Sequence, residues 1–131
     1  MRIVRLSESP LIAIVDDDEA IRIATEGLIR SLGFAARTFA SAEALLASDV
    51  VGKTACLITD LQMPGMSGLD LQDALLASGH QMPIIFITAY PEERFQKRAL
   101  ANGAAGILVK PFDGQRLADC LKEVLRNNKG L

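Results

Sequence analysis

The sequence predicts an α/β protein: a doubly wound, five-stranded parallel sheet with helices on both faces. Three observations carry that expectation. Five short apolar runs alternate with five segments of helical period, and the connections are short. Such alternation implies parallel strands joined by right-handed crossovers. Half of the 131 residues are hydrophobic, which suits a sheet covered on both faces. Four of the runs also end in polar residues: Asp16 and Asp17 after LIAIV, Asp60 after ACLIT, Thr88 after PIIFI and Lys110 after GILV. Parallel strands would gather these residues at one edge, and open α/β sheets bind ligands at the carboxyl ends of their strands.

Each element has a local reason. Residues 11–15 form a wholly apolar, β-branched run, the mark of a buried strand. Residues 19–32 place Ile21, Ala24, Leu28, Ile29 and Leu32 on one helical face, and Gly33 supplies a left-handed stop. Residues 34–39 read as a second, weaker strand. Ser41 caps a short helix carrying Leu45 and Leu46. Residues 55–59 give the third strand. Ser67 and Asp70 make an S-x-x-D capping pattern ahead of Leu71 and Leu75, which starts the third helix. Residues 83–87 are the fourth strand. Pro91 opens the fourth helix, with Glu92 and Glu93 suited to its dipole; Phe95, Ala99 and Leu100 read as core, and Asn102-Gly103 closes it. Residues 105–109 are the fifth strand. Asp113 caps a last helix with Leu117, Cys120, Leu121, Val124 and Leu125 on its apolar face.

Bulk properties exclude several classes. The length suits one domain with a substantial core. A net charge of −2 gives no reason to expect binding to nucleic acid or an anionic membrane. No apolar stretch approaches the ~20 residues needed to span a bilayer. The opening MRIVRLSESP lacks a signal peptide's apolar core and cleavage site, so a cytoplasmic location is expected. Cys56 and Cys120 read as two buried, reduced thiols. Residues 1–10 read as a loose leader, 11–126 as the domain, and 127–131 (NNKGL) as a tail or the start of a linker.

The gathered residues suit a divalent metal and a phosphoryl group held against an aspartate. An Asp after a strand also serves as a plain turn residue, and Asp16 or Asp17 could simply cap a helix. Four consecutive acids, Asp16 to Glu19, exceed what one cap requires. Without metal, clustered carboxylates repel each other, and at least one pKa should rise.

Four segments then carry a family resemblance: VDDDEAIR at 15–22, TDLQMPGMSGLDL at 59–71, ITAY at 87–90 and LVKPF at 108–112. In this order and spacing, the chain resembles a receiver domain of bacterial two-component response regulators, over about residues 11–126. The GF-x-x-x-x-F stretch followed by SAEALLAS is similar to receivers of the FixJ/LuxR type. The resemblance implies the CheY-like (flavodoxin-like) fold with strand order 2-1-3-4-5. It implies Asp60 as the phosphoacceptor, whose unprotonated carboxylate attacks phosphorus to form a mixed anhydride. It implies Mg²⁺ held directly by Asp17, through water by Asp16, and by Asp60 and the backbone carbonyl of Gln62, in keeping with magnesium's preference for oxygen ligands and retained waters. Thr88 would donate its hydroxyl to a phosphoryl oxygen, and Lys110 would pair with one as a point charge. The Lys110-Pro111 bond is expected cis. Asp18 and Glu19 are read as solvated first-turn residues.

One position departs from the family's pattern. Three residues before the lysine, receivers often carry an aromatic ring that swings inward; this chain has Ile107. Coupling would then run through loop movement and repacking around Ile107, Ala89 and Phe112. Tyr90 and Gln62 would tune access of water to the acyl phosphate. His80 sits in a polar loop and is read as exposed. The charged face of the fourth helix (Glu92, Glu93, Arg94, Lys97, Arg98) is either solvated or a partner surface.

The expected partners are a sensor histidine kinase, or a small phosphodonor such as acetyl phosphate. A homodimer through the fourth helix, fifth strand and fifth helix is the expected response to phosphorylation. The domain would catalyse only its own modification and hydrolysis. A Rossmann or P-loop nucleotide site lacks its glycines here. An aspartate-nucleophile phosphohydrolase would carry an acid where Gln62 stands. A degenerate receiver would have lost a site residue. The output is open between a transcriptional regulator cut short and a stand-alone receiver, with the former favoured.

Overall fold

The computed structural model describes residues 9–129, with side chains to residue 127. Most of the expected leader and the last two residues lie outside them. The elements are β1 (Leu11–Val15), α1 (Glu19–Ser31), β2 (Ala35–Phe39), α2 (Ala42–Leu46), a 3-10 turn at Val51–Lys53, β3 (Thr54–Asp60), α3 (Gly68–Ala77), β4 (Ile84–Thr88), α4 (Glu93–Ala101), β5 (Gly106–Val109) and α5 (Gly114–Lys129). All strand pairs are parallel, and the order is β2-β1-β3-β4-β5. The doubly wound α/β fold is thus as the sequence predicts.

The apolar runs conceal a period of two. Ala13, Val15, Leu57 and Phe86 face a core closed by Leu45, Leu71, Leu75 and Ala99 of α2, α3 and α4. Ile12, Ile14, Ile58, Ile85 and Ile87 face a second core closed by Ile29 of α1 and Leu117 and Leu121 of α5. Both faces of the central strands are buried, so their interior positions are almost all apolar, while the edge strand β2 carries the exposed Arg37. Register then fixes the carboxyl edge: Val15 pairs with Thr59 and Phe39, Asp60 with Ile87, and Thr88 with Val109.

Several local expectations need correction. The cap of α1 is Asp18, whose Oδ1 accepts the Ile21 N–H at 3.2 Å; it is more than a solvated first-turn residue. On α1 the buried pair is Thr25 and Ile29, and Ala24 is exposed. Helix α4 starts two residues later than expected, at Glu93, with Glu92 as its cap and Pro91 outside. Leu100 is 56% exposed because it stands a helical step away from the Phe95–Ala99 stripe. His80 is half-buried, and its backbone N–H donates to the Leu75 carbonyl at 2.9 Å. Both thiols are free, but only Cys56 is fully buried. Helix α5 continues to Lys129, into the segment read as a tail.

The charged face of α4 is partly committed to α3. Arg98 pairs with Asp73 and lies 3.9 Å from Asp70, and Asn102 Nδ2 donates to Asp73 Oδ1 at 3.1 Å. Gln72, 1% exposed, donates Nε2 to the Ala99 carbonyl. These ties all meet α4 at its C-terminal end.

Candidate functional site

The chain ends of β1, β3 and β5 meet in one acidic cleft. Asp16 directly follows β1 in a buried position, and its backbone N–H donates to the Phe39 carbonyl of β2 at 3.1 Å. Its Oδ1 accepts the Asp18 N–H at 2.9 Å. Asp17, next in the chain, is exposed. Asp60, the last residue of β3, is 8% exposed, and its Oδ1 accepts the Gln62 N–H at 3.1 Å. Asp16, Asp17 and Asp60 each offer a carboxylate oxygen, and these oxygens lie within 4.8 Å of one another. Lys110 follows β5 and places Nζ 3.1 Å from Asp60 Oδ2 and 3.6 Å from Asp16 Oδ2. The Lys110-Pro111 bond is cis, as expected.

Burial raises the Asp16 carboxyl above the ordinary carboxylate range. The Asp18 N–H and Lys110 oppose that rise, while Asp60 and Asp17 add to it. The expected mutual repulsion is therefore present, but loss of water is the larger cause. Burial works against the Lys110 charge, yet the Asp60 and Asp16 carboxylates overcome it and raise that group too.

Thr88 ends β4 with its side chain fully buried. Its Oγ1 accepts the Tyr90 N–H at 3.2 Å, and its backbone carbonyl accepts the Lys110 N–H at 2.8 Å. Among the described residues it makes no hydrogen bond to Asp60. The hydroxyl thus stands at the same edge, engaged with its own loop. Tyr90 is 72% exposed. Asp60, Gln62, Met63, Pro64, Ala89 and Tyr90 line a cleft of about 350 Å³. A larger cavity of about 860 Å³ lies at the opposite edge of the sheet, far from this chemistry.

Two supports were not legible in the sequence. A Cβ at Gly68 would stand 2.2 Å from the Asp60 carbonyl oxygen, so only glycine lets α3 start this close to β3. Arg22 of α1 donates Nη1 to the Asp16 backbone carbonyl at 2.7 Å. Nothing in the composition or charge pattern marked either.

The donor set suits a small hard cation. All three ligand atoms are carboxylate oxygens lying within 4.8 Å of one another, the hard oxygen donors that magnesium prefers. The set contains no thiolate or imidazole to favour a softer metal.

A parallel sheet in this order, with an acidic cluster and a lysine at its carboxyl edge, is the construction of a signalling receiver. The family model described as the response regulator receiver domain matches residues 12–122. The chain belongs to that family. It is 40% identical over 121 residues to the response regulator protein TmoT of Ectopseudomonas mendocina, covering 91% of this chain and 54% of TmoT. It is 38% identical over 108 residues to the transcriptional regulatory protein FixJ of Azorhizobium caulinodans, covering 82% and 51%. Among solved structures, the response regulator StyR superposes with a TM-score of 0.85 at 38% identity, over 93% of this chain and 62% of that one. The chain spans about half the length of the curated relatives it matches. No helix among the described residues is long and apolar enough to cross a membrane.

Proposed function

We propose that this chain is a phosphoacceptor receiver domain, spanning residues 11–126, that takes a phosphoryl group onto Asp60 from a histidine kinase or a small phosphodonor. The observation that carries the reading is the 3.1 Å approach of Lys110 Nζ to Asp60 Oδ2 beside two further carboxylates. An Asp60 carboxylate oxygen attacks phosphorus, the donor's P–N or P–O bond breaks, and the leaving group departs with that bond's electron pair. Asp16, Asp17, Asp60 and the Gln62 carbonyl would hold Mg²⁺, which offsets the charge on the phosphoryl oxygens. Lys110 exchanges its carboxylate partner for a phosphoryl oxygen as the acyl phosphate forms. Gln62 supplies no acid two residues beyond the acceptor, which argues against turnover of outside substrates.

The switch follows from Thr88. Its oxygen already accepts from Tyr90, leaving its proton to donate to a phosphoryl oxygen. A Thr88 shift then draws the Tyr90 loop with it. Ile107 is half-buried against the core that includes Phe86 and Phe95, and it offers no ring to rotate. Helix α4 is tied to α3 at its C-terminal end, so its N-terminal turn is the part that moves. Phosphorylation would bias a pre-existing equilibrium toward a form that dimerises through α4, β5 and α5. The similarity to transcriptional regulators of about twice this length supports a place in a cytoplasmic transcription factor.

Incubation with acetyl phosphate and Mg²⁺ should add one hydroxylamine-labile phosphoryl group to the parent and none to Asp60→Asn. Equal phosphorylation of both, read by mass spectrometry, would overturn the assignment.

A further inference from the structure

The exposed acid Asp17 has no side-chain hydrogen bond among the described residues, yet its direction decides whether a cation can be held. Its orientation must come from the backbone. The Asp16 carbonyl and the Asp17 N–H belong to one peptide plane, and a planar unit turns as a whole. Arg22 Nη1 donates to that carbonyl at 2.7 Å, reaching back six residues from the second turn of α1. The strand ladder stops at Val15, so Asp16 O has left the sheet and takes its partner from a side chain. On the other side of Asp16, its N–H is fixed to the Phe39 carbonyl. Asp18 is fixed as well, through its N–H to Asp16 Oδ1 and its Oδ1 to the Ile21 N–H.

The guanidinium could have paired with an acid, since Asp16 to Glu19 are all acidic. Among the described residues it forms no ion pair; its bond goes to the uncharged carbonyl. That choice fits a positional role better than a screening role.

We infer that Arg22 is a positioning residue that sets the Asp16–Asp17 peptide plane and so aims the Asp17 carboxylate at a divalent cation. The inference rests on the proposed metal role of the acidic cluster. Electrostatics gives it a sign that separates the two roles. A bystander cation near a metal site weakens metal binding, so its removal should tighten binding. A support that orients a ligand does the reverse, and loss of such supports typically costs 10–100-fold in affinity.

The experiment is Mg²⁺ titration by calorimetry on the parent, Asp17→Asn, Arg22→Ala, Arg22→Lys and Arg22→Gln, with ¹⁵N and ¹³C′ shifts recorded for the 16–17 peptide. Arg22→Ala should bind Mg²⁺ roughly tenfold more weakly, shift the Asp17 amide and Asp16 carbonyl resonances, and be partly restored by Arg22→Lys. Binding by Arg22→Ala as tight as or tighter than the parent overturns the inference. If Arg22→Ala fails to fold, Arg22→Gln decides by the same comparison. A parent that binds no Mg²⁺, or an Asp17→Asn variant that binds as well as the parent, overturns the metal reading itself, whatever Arg22 does.

Discussion

The side-chain amide of Gln72 on α3 donates to the Ala99 carbonyl on α4 at 3.1 Å, while its own Oε1 is buried without a partner among the described residues. The Ala99 carbonyl is already served by the Ala104 N–H at 2.9 Å. The bond contributes about 1 kcal/mol, and an orphaned buried acceptor costs about 1–3 kcal/mol. The two effects nearly cancel.

Gln72→Met should therefore melt within about 3 °C of the parent, or above it. Gln72→Glu should melt more than about 5 °C lower at pH 7, because a buried charge would face a carbonyl oxygen. Calorimetric melting of the three proteins checks this. A large loss in Gln72→Met would mean that the tie to α4 outweighs the orphaned oxygen.

Gly68→Ala should damage the acidic edge directly. The new methyl would stand 2.2 Å from the Asp60 carbonyl oxygen and 3.1 Å from Leu61 Cα, all of it backbone that cannot rotate away. We expect a loss of about 2–4 kcal/mol in denaturant unfolding. Phosphorylation by acetyl phosphate should slow in the folded fraction, because the displaced strand end carries Asp60. A normal rate would show that α3 yields while β3 stays fixed.

Lys110→Met should bind Mg²⁺ more tightly than the parent. The ammonium lies within 3.6 Å of two of the proposed ligands and competes with a cation for them. Calorimetry should read a several-fold lower Kd, with the phosphorylated variant failing to shift the Tyr90 amide. An unchanged Kd would mean that Lys110 leaves the carboxylates before the cation enters.

The thiols should differ in reactivity. Burial pushes the Cys56 thiol up to about 12. The thiolate is the nucleophile, so at pH 8 only about one molecule in 10⁴ is reactive at that position. The half-buried Cys120 is raised as well, chiefly by burial with Glu123 adding to it. Iodoacetamide at pH 8 should leave Cys56 intact in the folded protein and alkylate both residues in urea. Because the thiolate fraction grows as pH rises toward the thiol's pKa, Cys56 should remain the slower of the two at pH 9. Rapid native labelling of Cys56 would contradict its burial.

The central strands were legible because a sheet covered on both faces makes their interior positions almost all apolar, and the site was legible because parallel topology turns four distant strand ends into one edge. What the sequence concealed depends on where a polar side chain finds its partner. Thr25 and Gln72 are polar residues on helices, and their type gave no sign that both are buried. Leu100 reads as core because apolar character alone does not say which side of α4 faces inward. Asp18, not its two predecessors, proved to be the helix cap because those residues belong to the strand end and the acidic cleft. Arg22 spends its charge on a backbone oxygen, a pairing that leaves no complementary letter to find.

Pro10, just ahead of β1, and Leu125 and Arg126 of α5 line the same cavity beneath the amino ends of the strands. Among the described residues, the entry to β1 and the last turns of α5 therefore border one cavity, on the pole away from Asp60. A gene reordered to bridge those neighbours with a short flexible peptide, and reopened at the exposed Gly79, should yield a circular permutant that folds.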